Sequence, residues 1–202
     1  MVSARIYDWM YRVWAPWDSV GVRRDLISLL ERGDVDPVRF PRSIDLGCGT
    51  GANVVHLAEA GFDSWGIDFS EIAIRKARAR AADAGVDAQL VVGDLTAATT
   101  PGVEGPFDFL IDFGTLDDLR GGSRVAMANT VTRLSRPGAK FLEFCFYGET
   151  DELPLISFRG TSKLSHIAPG ELEELFGRHW DVEPFSRNDD WKVATFLLTR
   201  RQ

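Results

Sequence analysis

The stretch Ser43-Ile-Asp-Leu-Gly-Cys-Gly-Thr-Gly-Ala-Asn53 decides the fold. Ile44 and Leu46 read as the end of a buried strand, and Val54, Val55, Leu57 and Ala58 then follow a helical apolar pattern up to Gly61. Between them, Gly47, Gly49 and Gly51 open a tight turn. Three missing side chains let a ligand approach the backbone closely, and the free N–H groups at a helix start favour an anionic or polar group. Strand, glycine loop and helix in this order make a nucleotide-cofactor site in many α/β folds. Taken alone the loop is ambiguous, because Gly47, Gly49 and Ala52 also satisfy the dinucleotide pattern G-x-G-x-x-G/A. Asp45, just before the first glycine, and the pattern downstream separate the readings.

Outward from the loop, the chain alternates. A strand over 42–46 follows Pro41. Further strands are expected at 65–68, 89–92, 107–113 and 140–147. Helices are expected from Asp18 to Glu31, from Glu71 to Ala84 behind the cap Ser70, and from the Gly121-Gly122-Ser123 break to Arg136. Pro169 suits the first turn of one more helix, ending at Gly177. Two strands, 181–186 and 191–199, flank Asn188-Asp189-Asp190 and read as an antiparallel hairpin. Alternation of this kind implies a doubly wound α/β sheet, mostly parallel, with ligands bound beyond the carboxyl ends of its strands.

The 202 residues are read as a single domain, and 45% hydrophobic content can fill its core. Two segments stand apart. Residues 1–33, rich in aromatics at the start (Tyr7, Trp9, Tyr11, Trp14, Trp17), are read as an N-terminal helix and a lid over the glycine loop. Residues 148–168 show no clear period and are read as a substrate-side loop. A net charge of −7 argues against a nucleic-acid face, and no apolar run is long enough to cross a membrane. Cys48 and Cys145 have no partners at metal-ligand spacing, and His56, His166 and His179 form no metal motif. Both thiols are therefore read as reduced, in a cytoplasmic protein, with no metal expected.

Four acids fall at or beside the ends of four successive strands: Asp45, Asp68, Asp94 and Asp112. Carboxylates gathered at one sheet edge repel one another unless a cation or hydroxyl donors share them. A cationic ligand bearing a ribose meets that need. Asp68 is placed to take two ribose hydroxyls. Asp94 is placed for an adenine amino group, and Asp45 and Asp112 for a sulfonium or ammonium.

Ile44-Asp-Leu-Gly-Cys-Gly-Thr-Gly51 resembles the signature loop of the class I S-adenosylmethionine-dependent methyltransferases. Gly66-Ile-Asp68-Phe-Ser70, Gly93-Asp94-Leu95, Phe107-Asp-Phe-Leu-Ile-Asp112 and Leu134-Ser-Arg-Pro-Gly138 resemble their later motifs in register. The resemblance implies a Rossmann-like, seven-stranded sheet with an antiparallel last strand. It also implies that S-adenosylmethionine meets Asp45, Gly47, Cys48, Gly49, Thr50, Gly51, Asn53, Asp68, Phe69, Ser70, Asp94, Leu95, Asp112 and Phe113. Pro16-Trp17-Asp18 and Gly21 resemble the cofactor-covering segment of the thiopurine and tellurite-resistance branch, which adds Trp17. Where many relatives have a histidine after the fourth strand, this chain has Leu116-Asp117-Asp118-Leu119, so no catalytic histidine is carried over to that place.

The expected activity is methyl transfer to oxygen, sulfur or nitrogen of a small aromatic molecule, by a monomer or homodimer. Asp117 and His166 are the candidate general bases, with Asp118 beside them. Trp14, Phe146, Tyr147 and Arg159 are the candidate substrate contacts. Two alternatives stay open at this point, a nicotinamide-dependent oxidoreductase on the dinucleotide reading and a non-catalytic S-adenosylmethionine-binding protein.

Overall fold

The alternating pattern after Pro41 becomes one seven-stranded sheet in the computed structural model, which describes residues 4–13, 15–149 and 165–202. Ahead of it come α1 (Ala4–Val13), a 3-10 turn (Pro16–Val20) and α2 (Arg24–Glu31). The body then runs β1 (Arg42–Leu46), α3 (Ala52–Glu59), β2 (Asp63–Asp68), α4 (Glu71–Ala84), β3 (Gln89–Val92) and β4 (Phe107–Phe113). It closes with α5 (Gly122–Leu134), β5 (Ser135–Phe146), α6 (Glu171–Phe176), β6 (Trp180–Asn188) and β7 (Val193–Arg200). The strand order is β3-β2-β1-β4-β5-β7-β6. β1 to β5 pair in parallel, and β7 runs against both β5 and β6. From β1 the chain winds to β2 and β3 on one side, then returns to β4 and β5 on the other. The switch point therefore lies between β1 and β4, where a ligand crevice opens beyond the strand ends.

Both faces of the sheet are covered because both carry apolar side chains. On one face Leu110 and Phe141 pack with Met127, Val131, Phe176 and Trp180. On the other, Phe109, Ile111 and Leu142 pack with Leu26, Leu29 and Leu57. Trp180 is fully buried and donates its indole N–H to Thr132 Oγ1 at 3.0 Å, so its one polar atom is satisfied inside the core. Ser70 caps α4 by accepting from Ala73 N at 3.1 Å, as its sequence position suggested.

Several boundaries differ from the sequence reading. The helix expected over 18–31 is broken, because Gly21 takes φ 70° and separates the 3-10 turn from α2. α5 stops at Leu134, and Pro137-Gly138 is not a turn before the strand but lies inside β5. There the pairing shifts register between Phe107 and Phe109, an irregularity that accommodates a proline without an N–H. β2 starts at Asp63, earlier than expected. In the terminal hairpin β6 extends to Asn188, whose Oδ1 accepts from Trp191 N at 3.1 Å, so the turn sits later than the Asn188-Asp189-Asp190 reading placed it. Pro169 precedes α6 rather than opening it, since the cap is Gly170.

Candidate active site

The glycine loop hangs on the end of β2. Gly47 N and Cys48 N both donate to Ile67 O, at 2.8 and 3.0 Å. Gly47 takes φ 80°, and a Cβ there would lie 1.9 Å from Thr115 Oγ1. Its missing side chain thus serves the approach of the β4–α5 turn rather than a ligand. Gly49 is the glycine that opens outward, and a Cβ on it would lie 2.8 Å from the Tyr11 hydroxyl. Cys48 is buried, with its thiol pushed well up by burial and then by Asp68. It is not poised as a nucleophile.

The four strand-end acids separate into different environments. Asp45 is buried, accepts from Asn53 Nδ2 at 3.4 Å, and has its pKa raised to about 8 by burial and then by Asp112. Asp68 is buried as well, raised to about 6 chiefly by burial. One of its oxygens accepts from Gly49 N at 3.0 Å and the other from Ser70 N at 2.8 Å, so it ties the loop to the start of α4. Each oxygen keeps a second lone pair. Asp112 is fully buried, accepts from Thr115 N and Leu116 N at 2.9 and 2.7 Å, and is raised to about 6 by burial. It organises the turn that touches Gly47. Asp94 is exposed and accepts from Thr96 N and Oγ1 at 2.8 and 2.7 Å, while Leu95 beside it is buried in the core.

Part of the N-terminal segment packs over the glycine loop. Tyr11 is buried over the loop, and Trp17 donates its indole N–H to the Tyr11 hydroxyl at 3.1 Å. Thr50 Oγ1 donates to Asp18, and Arg80 donates to Thr50 Oγ1 at 3.1 Å. α1 is fastened to α4 by Ser70 Oγ donating to Asp8 and by Lys76 Nζ donating to Tyr11 O at 2.6 Å. Tyr7 packs edge-on against Phe69 with ring centroids 5.1 Å apart, and donates to Asp118. Trp9, by contrast, is exposed. α2 is no part of a lid, since Leu26 and Leu29 anchor it in the core.

Of the candidate bases and substrate contacts, Asp117, Phe146 and His166 lie near one another beside Arg124. Asp117 is buried, accepts from Phe146 N at 2.7 Å, and has its carboxyl pushed well above the ordinary range by burial and then by Asp118. The His166 carbonyl accepts from Arg124 Nη2 at 3.0 Å, close to the Asp117 turn. Tyr147 packs on Phe196 at 5.1 Å and under the Arg187 guanidinium, which puts its ring against the hairpin. Trp14 and Arg159 lie outside the described residues, as does most of the expected 148–168 loop.

Sequence reasoning missed Arg23, Glu143 and the role of Tyr11. Arg23 N donates to Asn53 Oδ1 at 3.3 Å, and its guanidinium lies 5.6 and 5.4 Å from the ring centroids of Phe113 and Phe144. Glu143 faces Asp112 across the β4–β5 pair, fully buried, with Asp112 as its hydrogen-bonding neighbour. Burial and then Asp112 raise its carboxyl well above its ordinary value. Two cavities meet at Arg23 and Phe113. One, of about 60 Å³, lies over the glycine loop beneath Tyr11 and Trp17 and reaches Asp45 and Asn53. The other, of about 280 Å³, lies between the start of α2 and the rings of Phe113 and Phe144.

Residues 44–138, which hold the glycine loop and all four strand-end acids, match the family described as a methyltransferase domain. This match and the methyltransferase relatives support a class I S-adenosylmethionine-dependent methyltransferase. Among relatives of this methyltransferase, the 2-heptyl-1-hydroxyquinolin-4(1H)-one methyltransferase of Mycobacteroides abscessus is 26% identical over 85% of this chain and 70% of its own. A structure described under conversion of a disulfide bond into a thioacetal group during echinomycin biosynthesis superposes with TM-score 0.76. It is 24% identical and matches 98% of this chain and 91% of its own. A third is the Burkholderia thailandensis 1,6-didemethyltoxoflavin-N1-methyltransferase, solved with 1,6-didemethyltoxoflavin and S-adenosylhomocysteine. It superposes with TM-score 0.74 at 16% identity over 98% of this chain and 87% of its own. These two structures share the fold. The methyltransferase assignment leaves the nicotinamide reading of Gly47, Gly49 and Ala52 without support. Among the described residues no helix is long and apolar enough to cross a membrane, and no group of three or more His, Cys, Asp and Glu is arranged to hold a metal.

Proposed function

We propose that this methyltransferase binds S-adenosylmethionine over Gly47–Gly51 and transfers its methyl group to an oxygen, sulfur or nitrogen of a small aromatic molecule. The observation that carries the reading is Asp45, a buried carboxyl at the switch point with its pKa raised to about 8. A carboxyl held so far from its ordinary value is a site that a bound cation would relieve. In this reading Asp45 faces the ammonium of the cofactor, and the free lone pairs of Asp68 accept from ribose hydroxyls. Asp94 takes the adenine amino group, and Phe69 and Leu95 edge the base. The cofactor supplies an electrophilic methyl on a sulfonium.

The cover sets a condition on entry. Ligand pockets run upward from about 300 Å³, and the space over the loop is about 60 Å³. The Tyr11 and Trp17 rings therefore swing outward for the cofactor to enter and close on it afterwards, which excludes water from the transfer. A general base is optional when the acceptor is an anion at neutral pH. Asp117 and His166 keep the base role only if the acceptor must lose its proton on the enzyme. Support for an aromatic acceptor comes from the hydroxyquinolone and toxoflavin substrates named for the two relatives, and from the Phe113 and Phe144 wall beside the loop. The net charge of −7 favours a small acceptor over nucleic acid, and the buried thiols of Cys48 and Cys145 suit a cytoplasmic setting.

The test is direct. S-adenosylhomocysteine is expected to raise the melting temperature of the wild type, and Asp68→Ala to abolish that rise. A labelled-methyl screen across phenols, thiols and heterocyclic amines is expected to label at least one class. An Asp68→Ala variant that keeps the full thermal shift, or a screen with no labelled product, sinks the corresponding half of the reading.

A further inference from the structure

Beside the glycine loop lies the larger cavity, about 280 Å³, with Val20, Val22, Phe113 and Phe144 as its apolar lining. It shares Arg23 and Phe113 with the space over the loop, so the two are adjoining rooms. The Phe113 and Phe144 rings stand 5.9 Å apart and tilted by only 32°, which makes one continuous wall suited to a flat molecule. Charge in this cavity runs against the rest of the chain. Arg23 and Arg24 line it with a single acid, Asp25. Asp25 Oδ2 accepts from Ser186 Oγ at 2.9 Å and from Thr195 Oγ1 of the hairpin, and its charge offsets one of the two arginines. Arg23 forms no close ion pair among the described residues, although Asp45, Asp112 and Asp117 act on its charge from the loop side, and its guanidinium lies over both rings. A guanidinium cannot lose its proton here, so the cavity holds a fixed positive charge against an aromatic wall.

We propose that this cavity is the acceptor site and that it takes a planar aromatic acceptor as its oxyanion, a phenolate or enolate, with Arg23 as the countercharge. The inference rests on the methyl-transfer reading above and narrows it. No base is needed on the enzyme, because the acceptor gives up its proton to solvent on entering. The anionic oxygen uses a lone pair to form the new O–CH₃ bond. The C–S⁺ bond breaks with its electron pair passing to sulfur, leaving a neutral ether and a neutral thioether. Arg23 is thus a binding and specificity residue that favours acidic hydroxyls over alcohols.

The probe is 4-nitrophenol, whose anion is coloured and reports ionisation without turnover. Titrated against the wild type, its apparent pKa is expected to fall by about one unit or more, the range for an opposite charge at close approach. Arg23→Gln is expected to remove that shift and Arg23→Lys to keep part of it. Phe144→Ala is expected to weaken probe binding by up to about tenfold, as for loss of an aromatic partner, with the shift intact. S-adenosylhomocysteine should still raise the melting temperature of Arg23→Gln. Failure of the probe to bind the wild type, binding without a shift, or an unchanged shift in Arg23→Gln overturns the assignment. Loss of the S-adenosylhomocysteine effect in Arg23→Gln also overturns it, by moving Arg23 to the cofactor. If S-adenosylhomocysteine fails to stabilise the wild type as well, the fault lies with the cofactor reading and not with the acceptor site.

Discussion

Single carboxyls in this protein carry a pH signature. Asp45 is raised from 3.8 to about 8, and Asp68 and Asp112 to about 6, each mainly by burial. For an acid whose folded pKa is raised, the folded state holds a proton that the unfolded chain has released. Stability is therefore greatest at the acid end of that window and falls as pH rises through about 6 and then about 8. Above the last of these values the contribution is level. The melting temperature of the ligand-free protein is expected to decline from mildly acidic to mildly alkaline pH, and Asp45→Asn to flatten the upper part of that slope. A cation beside Asp45 reverses the preference. Binding of S-adenosylhomocysteine should release a proton and tighten as pH rises, which calorimetry in two buffers of different ionisation enthalpy would read. The placement of Asp45 and Asp68 at the loop was legible in the sequence because it is set by local motif, a carboxyl next to a glycine turn or at a strand end. Arg23 and Tyr11 were not, because each meets the loop only after α1 and α2 have packed against it.

Among the elements, the turn after β4 depends on a buried arginine. Arg124 donates to the carbonyls of Leu116, Asp117, Leu119 and His166, and pairs with Glu171 at 2.5 Å, with its own side chain only 8% exposed. It therefore joins α5 to the start of α6 and to the far end of the 148–168 segment. Arg124→Met is expected to cost about 1–3 kcal/mol, the range for leaving a buried acceptor unsatisfied, measured as a lowered urea midpoint. In the sequence Arg124 was one more charge near a helix start, and nothing local marked it as buried. The helices and strands themselves were mostly legible. α4, β3 and β4 fall where capping and apolar runs placed them, because those signals are local. The break at Gly21 and the early start of β5 were misread for opposite reasons. An apolar period continues past Gly21, and Pro137-Gly138 looks like a turn until strand pairing makes it part of β5.

For the molecule as a whole, ligand binding should appear as a single shift. At a concentration one hundred times its dissociation constant, a ligand that binds only the folded state adds about 2.7 kcal/mol. In a chain of this size that corresponds to a rise of about 5–10 °C. S-adenosylhomocysteine is expected to give a rise of that order in differential scanning calorimetry, and NADH none. The doubly wound architecture was legible from alternation alone, and the hairpin was legible as antiparallel. The position of the hairpin strands was not, since pattern shows that β6 and β7 pair but not which of them also meets β5. β7 holds that middle place, bonded to β5 along Lys140–Phe146 and to β6 along Trp180–Asn188. The order of synthesis then matters. β6 leaves the ribosome before β7 yet has no place in the sheet until β7 follows, so for that interval β5 presents an open edge and β6 an unpaired strand. At translation rates of about 5–20 residues per second the gap is short. During it, however, the nascent chain offers the free strand edges most prone to pairing with a neighbour.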